Sequence, residues 1–519
     1  MGADEHIVMV PLMAHGHLIP FLALARQIQQ RTGFIITIAN TPLNIQYLKS
    51  TISTDSNPKL RLVELPYSSS DHGLPSSTEN TENLPFDLIG TFYASSKSLS
   101  TPVHKLIIDI KEKEGKPPLC MITDVFFGWA VDVARSAGTI NVTFSTSGGY
   151  GTLAYMSLWL NLPHRKTDSD EFRIPGFPDR CRLHITQLHR FLRMADGSDE
   201  WSRFMQPQLS QSLGSYGMLC NTVEEIEPQA VEWLRNYTKL PVWTIGPLLP
   251  RPFLEKSLPS GFTDYKQHSG KIPGVSPQMC VEWLDLQDPD SVLYISFGSQ
   301  NTISPSQMME LAIGLEGSEK HFIWVIRPPV GFDLRGEFRA EWLPEGFEER
   351  VTKRKQGLLV KNWAPQLEIL SHKSTGAFLS HCGWNSVMES LSQGVPLIGW
   401  PMAAEQSYNS MMLVEEMCVS VELTRGPLSI EGKEVKRVIE LVLSKTGKGE
   451  EIRRNAAKIR EQMRASVKEE GEEKGSSVKA LDEFLRNILS RRQDTANQAI
   501  QHTSLDLFHE VYPNVVYDC

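Results

Sequence analysis

Residues 363–406, WAPQLEILSHKSTGAFLSHCGWNSVMESLSQGVPLIGWPMAAEQ, decide the fold. Within them, residues 375–379 form a short apolar run suited to a buried parallel strand. His381, Cys382, Gly383, Trp384 and Asn385 make a turn, and residues 386–392 open a helix. That order brings the freed backbone N–H groups of a helix start, the positive end of its dipole, and hydroxyl, amide and imidazole donors to one point. Such a point holds a diphosphate without a metal.

On either side of the block, apolar β-rich runs alternate with helical segments. In the first half the runs are residues 6–10, 34–39, 119–123 and 140–144. Residues 18–30 read as a helix, since apolar positions 18, 21, 22, 25 and 28 recur at helical spacing and Pro20 sits in the first turn. In the second half the runs are residues 291–297, 322–326, 357–360, 376–379 and 396–399. Alternation of this kind predicts two α/β domains, each a mostly parallel, doubly wound sheet, facing each other across a cleft. The expected divisions are an N-terminal domain over 1–250, a Pro-, Gly- and Ser-rich linker over 251–280 and a C-terminal domain over 281–472. An amphipathic helix over 473–489 and a poorly ordered tail over 490–519 follow.

Composition agrees with a two-domain enzyme. A chain of 519 residues exceeds one ordinary core. The net charge of −9, without a basic stripe, argues against a nucleic-acid partner. Seven cysteines without CxxC pairing indicate neither a zinc site nor a disulfide framework. The start MGADEHIVMVPLMAHGH lacks the basic segment and long apolar core of a signal peptide, and no apolar run reaches membrane-spanning length. A cytoplasmic monomer is expected.

Catalytic candidates lie in the first half. His17 falls in AHGHLIP, just past the first strand, and Asp124 ends LCMITD. Strand ends of a parallel sheet bring such residues together, and an imidazole oriented by a carboxylate is a competent general base. Taken singly, His15 or His17 could cap the following helix, and Asp124 could satisfy loop amides.

The block at 363–406 resembles, nearly position for position, the signature box of plant family 1 UDP-dependent glycosyltransferases. These enzymes transfer a sugar from a UDP-sugar to small hydrophobic acceptors. The resemblance implies a GT-B architecture of two Rossmann-like domains, with the last helix packing back on the N-terminal domain and no counterpart for the 490–519 tail. By the same resemblance Trp363 stacks on uracil, and Gln366 and Glu389 bind the ribose. His381, Asn385, Ser386 and Ser299 hold the phosphates, while Trp384, Glu405, Gln406 and Thr146 contact the sugar. His17 and Asp124 match the family's catalytic dyad, which implies direct displacement with inversion at the anomeric carbon.

Gln406 and Trp384 match the glucose-using pattern, so UDP-glucose is the expected donor substrate and no cofactor is required. Glu405 departs from the Asp common at its position and puts strict glucose preference in doubt. Two Asp-x-Asp triplets, at 168–170 and 288–290, read as turns, and no metal is expected. The implied acceptor is a hydroxylated phenolic, flavonoid or terpenoid metabolite, with Phe126, Phe127, Trp129 and Phe191 as candidate pocket residues.

Three alternatives compete. Another UDP-sugar donor would leave the chemistry unchanged. A nicotinamide-dependent oxidoreductase would need a GxGxxG after a strand, which is absent. A non-enzymatic UDP-sugar binding protein would be expected to have lost the dyad.

Overall fold

A computed structural model describes residues 5–52, 58–82, 84–255, 274–334, 336–425, 429–469 and 473–511, with side chains to 493. Two parallel sheets carry the fold. The first has the order β3-β2-β1-β4-β5-β8-β9. Its strands are β1 (His6–Val10), β2 (Ile35–Asn40), β3 (Leu60–Glu64), β4 (Cys120–Asp124), β5 (Asn141–Ser145), β8 (Met218–Cys220) and β9 (Val242–Thr244). A small antiparallel pair, β6 (Glu171–Arg173) and β7 (Arg182–His184), stands apart from it.

The second sheet has the order β12-β11-β10-β13-β14-β15. It is built from β10 (Val292–Ser296), β11 (His321–Ile326), β12 (Gly357–Lys361), β13 (Thr375–Ser380), β14 (Leu397–Gly399) and β15 (Ser420–Glu422). Central strands such as β1, β4, β10 and β13 are buried along their whole length, because helices cover both faces of each sheet. That is why they read in sequence as continuous apolar runs.

Each sheet reverses its strand order once near its middle. In the first, β1 pairs with β2 on one side and β4 on the other. In the second, β10 pairs with β11 and β13. The registers Val10↔Thr123 and Ser296↔Ser380 bring the carboxyl ends of each central pair level. Open parallel sheets leave a crevice at such reversals, and there they bind ligands.

One apolar core runs between the domains. Tyr150 and Leu153, on the helix Gly149–Asn161, share it with Tyr408 and Met412 on the helix Gln406–Glu415. The last helix crosses back to the first domain, where Leu481, Phe484, Leu485 and Ile488 join the core beneath β1 and β2. Glu483 accepts a hydrogen bond from Trp243 Nε1 at 3.2 Å, and Asp482 pairs with Arg31 at 2.8 Å.

Two expected boundaries move. The second domain begins inside the segment read as linker, with the helix Pro277–Asp285: Ser276 Oγ accepts the Met279 N–H at 3.2 Å and Pro277 occupies the first helical position. Residues 256–273 of that segment lie outside the described residues. The terminal helix does not stop at 489 but spans Ser476–Val511. No Gly or Pro interrupts that stretch before Pro513, and Arg491 lies over the Tyr216 ring, 5.1 Å from its centroid. The end of the tail, 512–519, lies outside the described residues. No disulfide joins the described cysteines.

Candidate active site

His17 stands in the first turn of the helix His15–Thr32, directly after β1, and Asp124 is the last residue of β4. The β1–β4 pairing therefore brings them together: His17 Nδ1 lies 2.6 Å from Asp124 Oδ2. A carboxylate only accepts, so Nδ1 carries the shared proton and Nε2 is left for chemistry. Asp124 is buried and held further by the N–H groups of Phe126 at 3.2 Å and Leu12 at 3.4 Å. Burial alone would push the His17 imidazole down. The charge and hydrogen bond of Asp124, with a smaller contribution from Glu405, outweigh burial and leave it raised.

Thr146 Oγ1 lies 3.3 Å from the same His17 nitrogen, so it reaches the dyad as well as the cavity in front of it. That cavity, about 260 Å³, is lined by both domains. From the first come His17, Thr146, Tyr93, Phe126 and Tyr155; from the second come Ser299, His381, Trp384, Glu405 and Gln406.

The second domain builds its side from the carboxyl ends of β10 and β13. His381 follows β13, and Trp384, Asn385 and Ser386 form the first turn of the helix Trp384–Ser392. Gly383 at the N-cap supplies no capping side chain; the Trp384 N–H meets the Glu405 carboxylate, and the Asn385 and Ser386 N–H groups are left to a ligand. His381 is buried and its pKa is pushed down to about 4 by burial and the nearby Arg327 charge, so the ring is neutral.

Ser299 follows β10 across Gly298, whose φ of +74° and closeness to His381 both require glycine. A Cβ there would sit 2.6 Å from the imidazole. Arg327, at the end of β11, donates from Nη1 to the Ser299 carbonyl at 2.7 Å and from Nη2 to the Gly298 carbonyl.

A second cavity of about 180 Å³ continues from this turn. Trp363, Gln366 and Glu389 line it. Gln366 Nε2 donates to Glu389 Oε2 at 2.6 Å and to Ser386 Oγ at 3.1 Å, which orients both acceptors. Burial pushes the Glu389 carboxyl up to about 7. At the other end of the block, Gln406 Oε1 accepts the N–H groups of Met402 at 2.9 Å and Ala403 at 2.8 Å, so its amide nitrogen is the group left for a ligand. Glu405 accepts from Asn409 Nδ2 at 3.3 Å, and burial raises its carboxyl pKa.

Every site residue read from the sequence thus lines one of two adjoining cavities or, like Asp124, acts on a residue that does. The aromatic candidates divide. Phe126 lines the cavity, whereas Phe127, in the turn after β4, and Trp129, which opens the helix Trp129–Ala137, pack in the core with Val8 and Ala130. Phe191 stacks between Phe86 and Trp201 instead of reaching the cavity. Tyr93, Tyr155, Met156 and Leu209 line it and carry no motif by which a sequence would reveal them. The Asp-x-Asp triplets stand outside both cavities.

Two adjoining cavities beside a His–Asp pair, between two such sheets, match the class of sugar-nucleotide-dependent transferases with a GT-B fold. Residues 255–453 match the family described as UDP-glucoronosyl and UDP-glucosyl transferase, and residues 4–156 match the glycosyltransferase N-terminal domain. The chain is 42% identical over 494 residues to UDP-glycosyltransferase 92A1 of Arabidopsis thaliana, covering 94% of this chain and 97% of the relative. It is 45% identical over 451 residues to crocetin glucosyltransferase 3 of Crocus sativus, covering 85% and 91%. Among solved structures, UGT73P12 of Glycyrrhiza uralensis, complexed with glycyrrhetinic acid 3-O-monoglucuronide, superposes with a TM-score of 0.81 at 27% identity, covering 97% of this chain and 99% of that one. The chain belongs to the plant UDP-glycosyltransferase family and has its two-domain GT-B fold. Among the described residues no helix is long and apolar enough to cross a membrane.

Proposed function

We propose that this protein transfers glucose from UDP-glucose, with inversion and without a metal, to a hydroxyl of a small hydrophobic plant metabolite of the phenolic, flavonoid or terpenoid class. The observation that carries the reading is the 2.6 Å contact between His17 and Asp124 at the wall of a cavity that the helix start at Trp384–Ser392 also lines. His17 Nε2 takes the acceptor hydroxyl proton as that oxygen attacks the anomeric carbon. The bond from that carbon to the diphosphate breaks on the opposite face, and its electron pair leaves with UDP. Asp124 orients His17 and stabilises the imidazolium. Ser299, Asn385, Ser386 and the helix-start amides meet the charge on the leaving diphosphate. Trp363 offers the stacking face for uracil, with Gln366 and Glu389 at the ribose. Trp384, Glu405, Gln406 and Thr146 surround the sugar.

The glucose assignment draws support from relatives named as crocetin and scopoletin glucosyltransferases, the latter 34% identical. It also draws support from a solved relative of Medicago truncatula complexed with UDP-glucose, TM-score 0.73 at 25% identity. Phe126, Tyr93 and Tyr155 give the acceptor side an aromatic wall, which suits a flat apolar aglycone. Glu405 favours a second reading on the donor side alone. Its carboxylate stands one methylene beyond that of an Asp, so a UDP-sugar with a different hydroxyl pattern fits the same chemistry.

Mass spectrometry after incubation with UDP-glucose, UDP-galactose or UDP-xylose and pooled phenolic and terpenoid aglycones tests the reading. A hexose adduct with UDP-glucose, β-configured by NMR and absent with His17→Ala, is expected. Adducts of equal yield from the His17→Ala protein would remove His17 from the mechanism, and a pentose adduct would reassign the donor.

A further inference from the structure

A nucleoside diphosphate brings two or more negative charges into the site, yet Arg327 is the only lysine or arginine among the described residues lining the two cavities. Its position follows from the sheet. β11 flanks β10 on the side away from β13, so a side chain leaving its carboxyl end reaches under the loop that leaves β10. There the guanidinium binds two successive carbonyls, those of Gly298 and Ser299.

In a trans peptide the N–H points opposite to the carbonyl of the preceding residue. Two carbonyls drawn toward Arg327 therefore turn the N–H groups of Ser299 and Gln300 away from it, on a loop whose residues 298–301 line the first cavity. A planar fork with fixed donors suits this double grip, and an ammonium could not reproduce it.

We propose that Arg327 is the positioning residue of the diphosphate subsite: it clamps the Gly298–Ser299 loop so that its amides and the Ser299 hydroxyl face the phosphates, and supplies the fixed positive charge beneath them. The inference rests on the donor-binding reading above. The same charge helps burial to keep His381 neutral, which makes the guanidinium the cation of the subsite in place of the imidazole. Glu82, on the N-terminal domain, is the carboxylate whose field Arg327 feels most strongly.

The test compares wild type, Arg327→Lys and Arg327→Met by calorimetry with UDP and with uridine, and by steady-state kinetics with both substrates varied. For Arg327→Met we expect UDP affinity to fall at least tenfold while uridine affinity and acceptor KM change less than twofold. Arg327→Lys should regain part of the UDP affinity, because the charge returns, but not the full kcat, because an ammonium on a flexible stem lacks the rigid fork that fixes both carbonyls in one orientation. UDP affinity in Arg327→Met within twofold of wild type would overturn the proposal. So would equal losses for UDP and uridine in both variants with a lowered melting temperature, since that pattern marks a merely structural arginine. A wild type that binds uridine and UDP equally would remove the diphosphate subsite itself, and a wild type that binds neither would overturn the donor reading with it.

Discussion

Asn385, in the first turn of the helix that opens on the donor cavity, donates from Nδ2 to the backbone carbonyl of Gly16 at 2.9 Å. Gly16 immediately precedes His17, so one hydrogen bond ties the turn proposed to bind phosphate in one domain to the turn that carries the proposed base in the other. A neighbouring bond, from Trp384 Nε1 to the Asn221 carbonyl at 2.7 Å, repeats the tie. The proposed displacement needs the acceptor oxygen, the anomeric carbon and the leaving diphosphate in line, and these bonds hold the two domains that would position them in one arrangement.

Asp124→Asn should lower kcat by about 10²- to 10⁴-fold, because His17 loses the carboxylate that orients it and stabilises its imidazolium. It should also move the acid limb of the pH profile. In the wild type Asp124 raises the His17 pKa against the lowering effect of burial. Below that pKa the ring is protonated and cannot accept a proton, so activity is lost as pH falls. Without the carboxylate the burial effect dominates, the pKa drops, and the residual activity should persist to lower pH. Profiles of kcat/KM from pH 5 to 9 decide this, and an acid limb moving upward would contradict the assignment.

With Glu389 at the ribose as proposed, UDP binding should depend on pH. Its carboxyl, raised to about 7 by burial, is partly protonated in the free enzyme at neutral pH. A ribose diol needs an acceptor for its hydroxyl protons, so UDP binds the ionised form better. Affinity should therefore fall as pH drops below about 7, and binding near that pH should release a proton. Calorimetry in two buffers of different ionisation enthalpy measures the release directly. Glu389→Gln should abolish it and weaken UDP by about 1.5–3 kcal/mol, the range for hydrogen bonds to a charged group.

The donor side of the site was legible in sequence because its chemistry is local. Trp363 through Gln406 form one continuous segment, and a strand, turn and helix start leave few ways to arrange His381, Asn385 and Ser386. The dyad was legible because β1 and β4 end in distinct apolar runs whose pairing in a doubly wound sheet follows from topology. The Arg327 contact with the Gly298 and Ser299 carbonyls was not, since it depends on β11 lying beside β10, and IRP reads as an ordinary strand end. The acceptor wall was not either. Tyr93, Tyr155 and Leu209 come from three separate helices, and only tertiary packing decides which face of each meets the cavity. Short strands such as β8, β9 and β15 escaped for another reason: three residues carry no period.

Gly298→Ala should damage the donor site while leaving the fold intact. A left-handed φ of +74° costs an alanine about 1–2 kcal/mol, and the added Cβ would meet the His381 ring at 2.6 Å. Relief requires the loop or the imidazole to move, and either shift carries Ser299 off the diphosphate. The expected result is a UDP-glucose KM raised at least tenfold with an unchanged circular dichroism spectrum. A KM within twofold of wild type would show that the loop has room the geometry denies.

Phe484→Ala should destabilise the N-terminal domain, although residue 484 follows the whole C-terminal domain in sequence. Its ring is fully buried, 5.3 Å from the Trp243 ring and in one core with Ile7, Phe21 and Ile36. Truncating a phenylalanine so enclosed costs about 3–5 kcal/mol, through lost transfer energy and the cavity left behind. The polar bonds at Asp482 and Glu483 lie at the rim of that contact, partly exposed, and contribute far less. Urea unfolding followed by circular dichroism and total tryptophan fluorescence should therefore show a clear drop in midpoint, larger than that of Asp482→Ala. If the two variants lost equal stability, the terminal helix would be held by its rim charges, and the apolar seat of Phe484 would not be what joins it to the first domain.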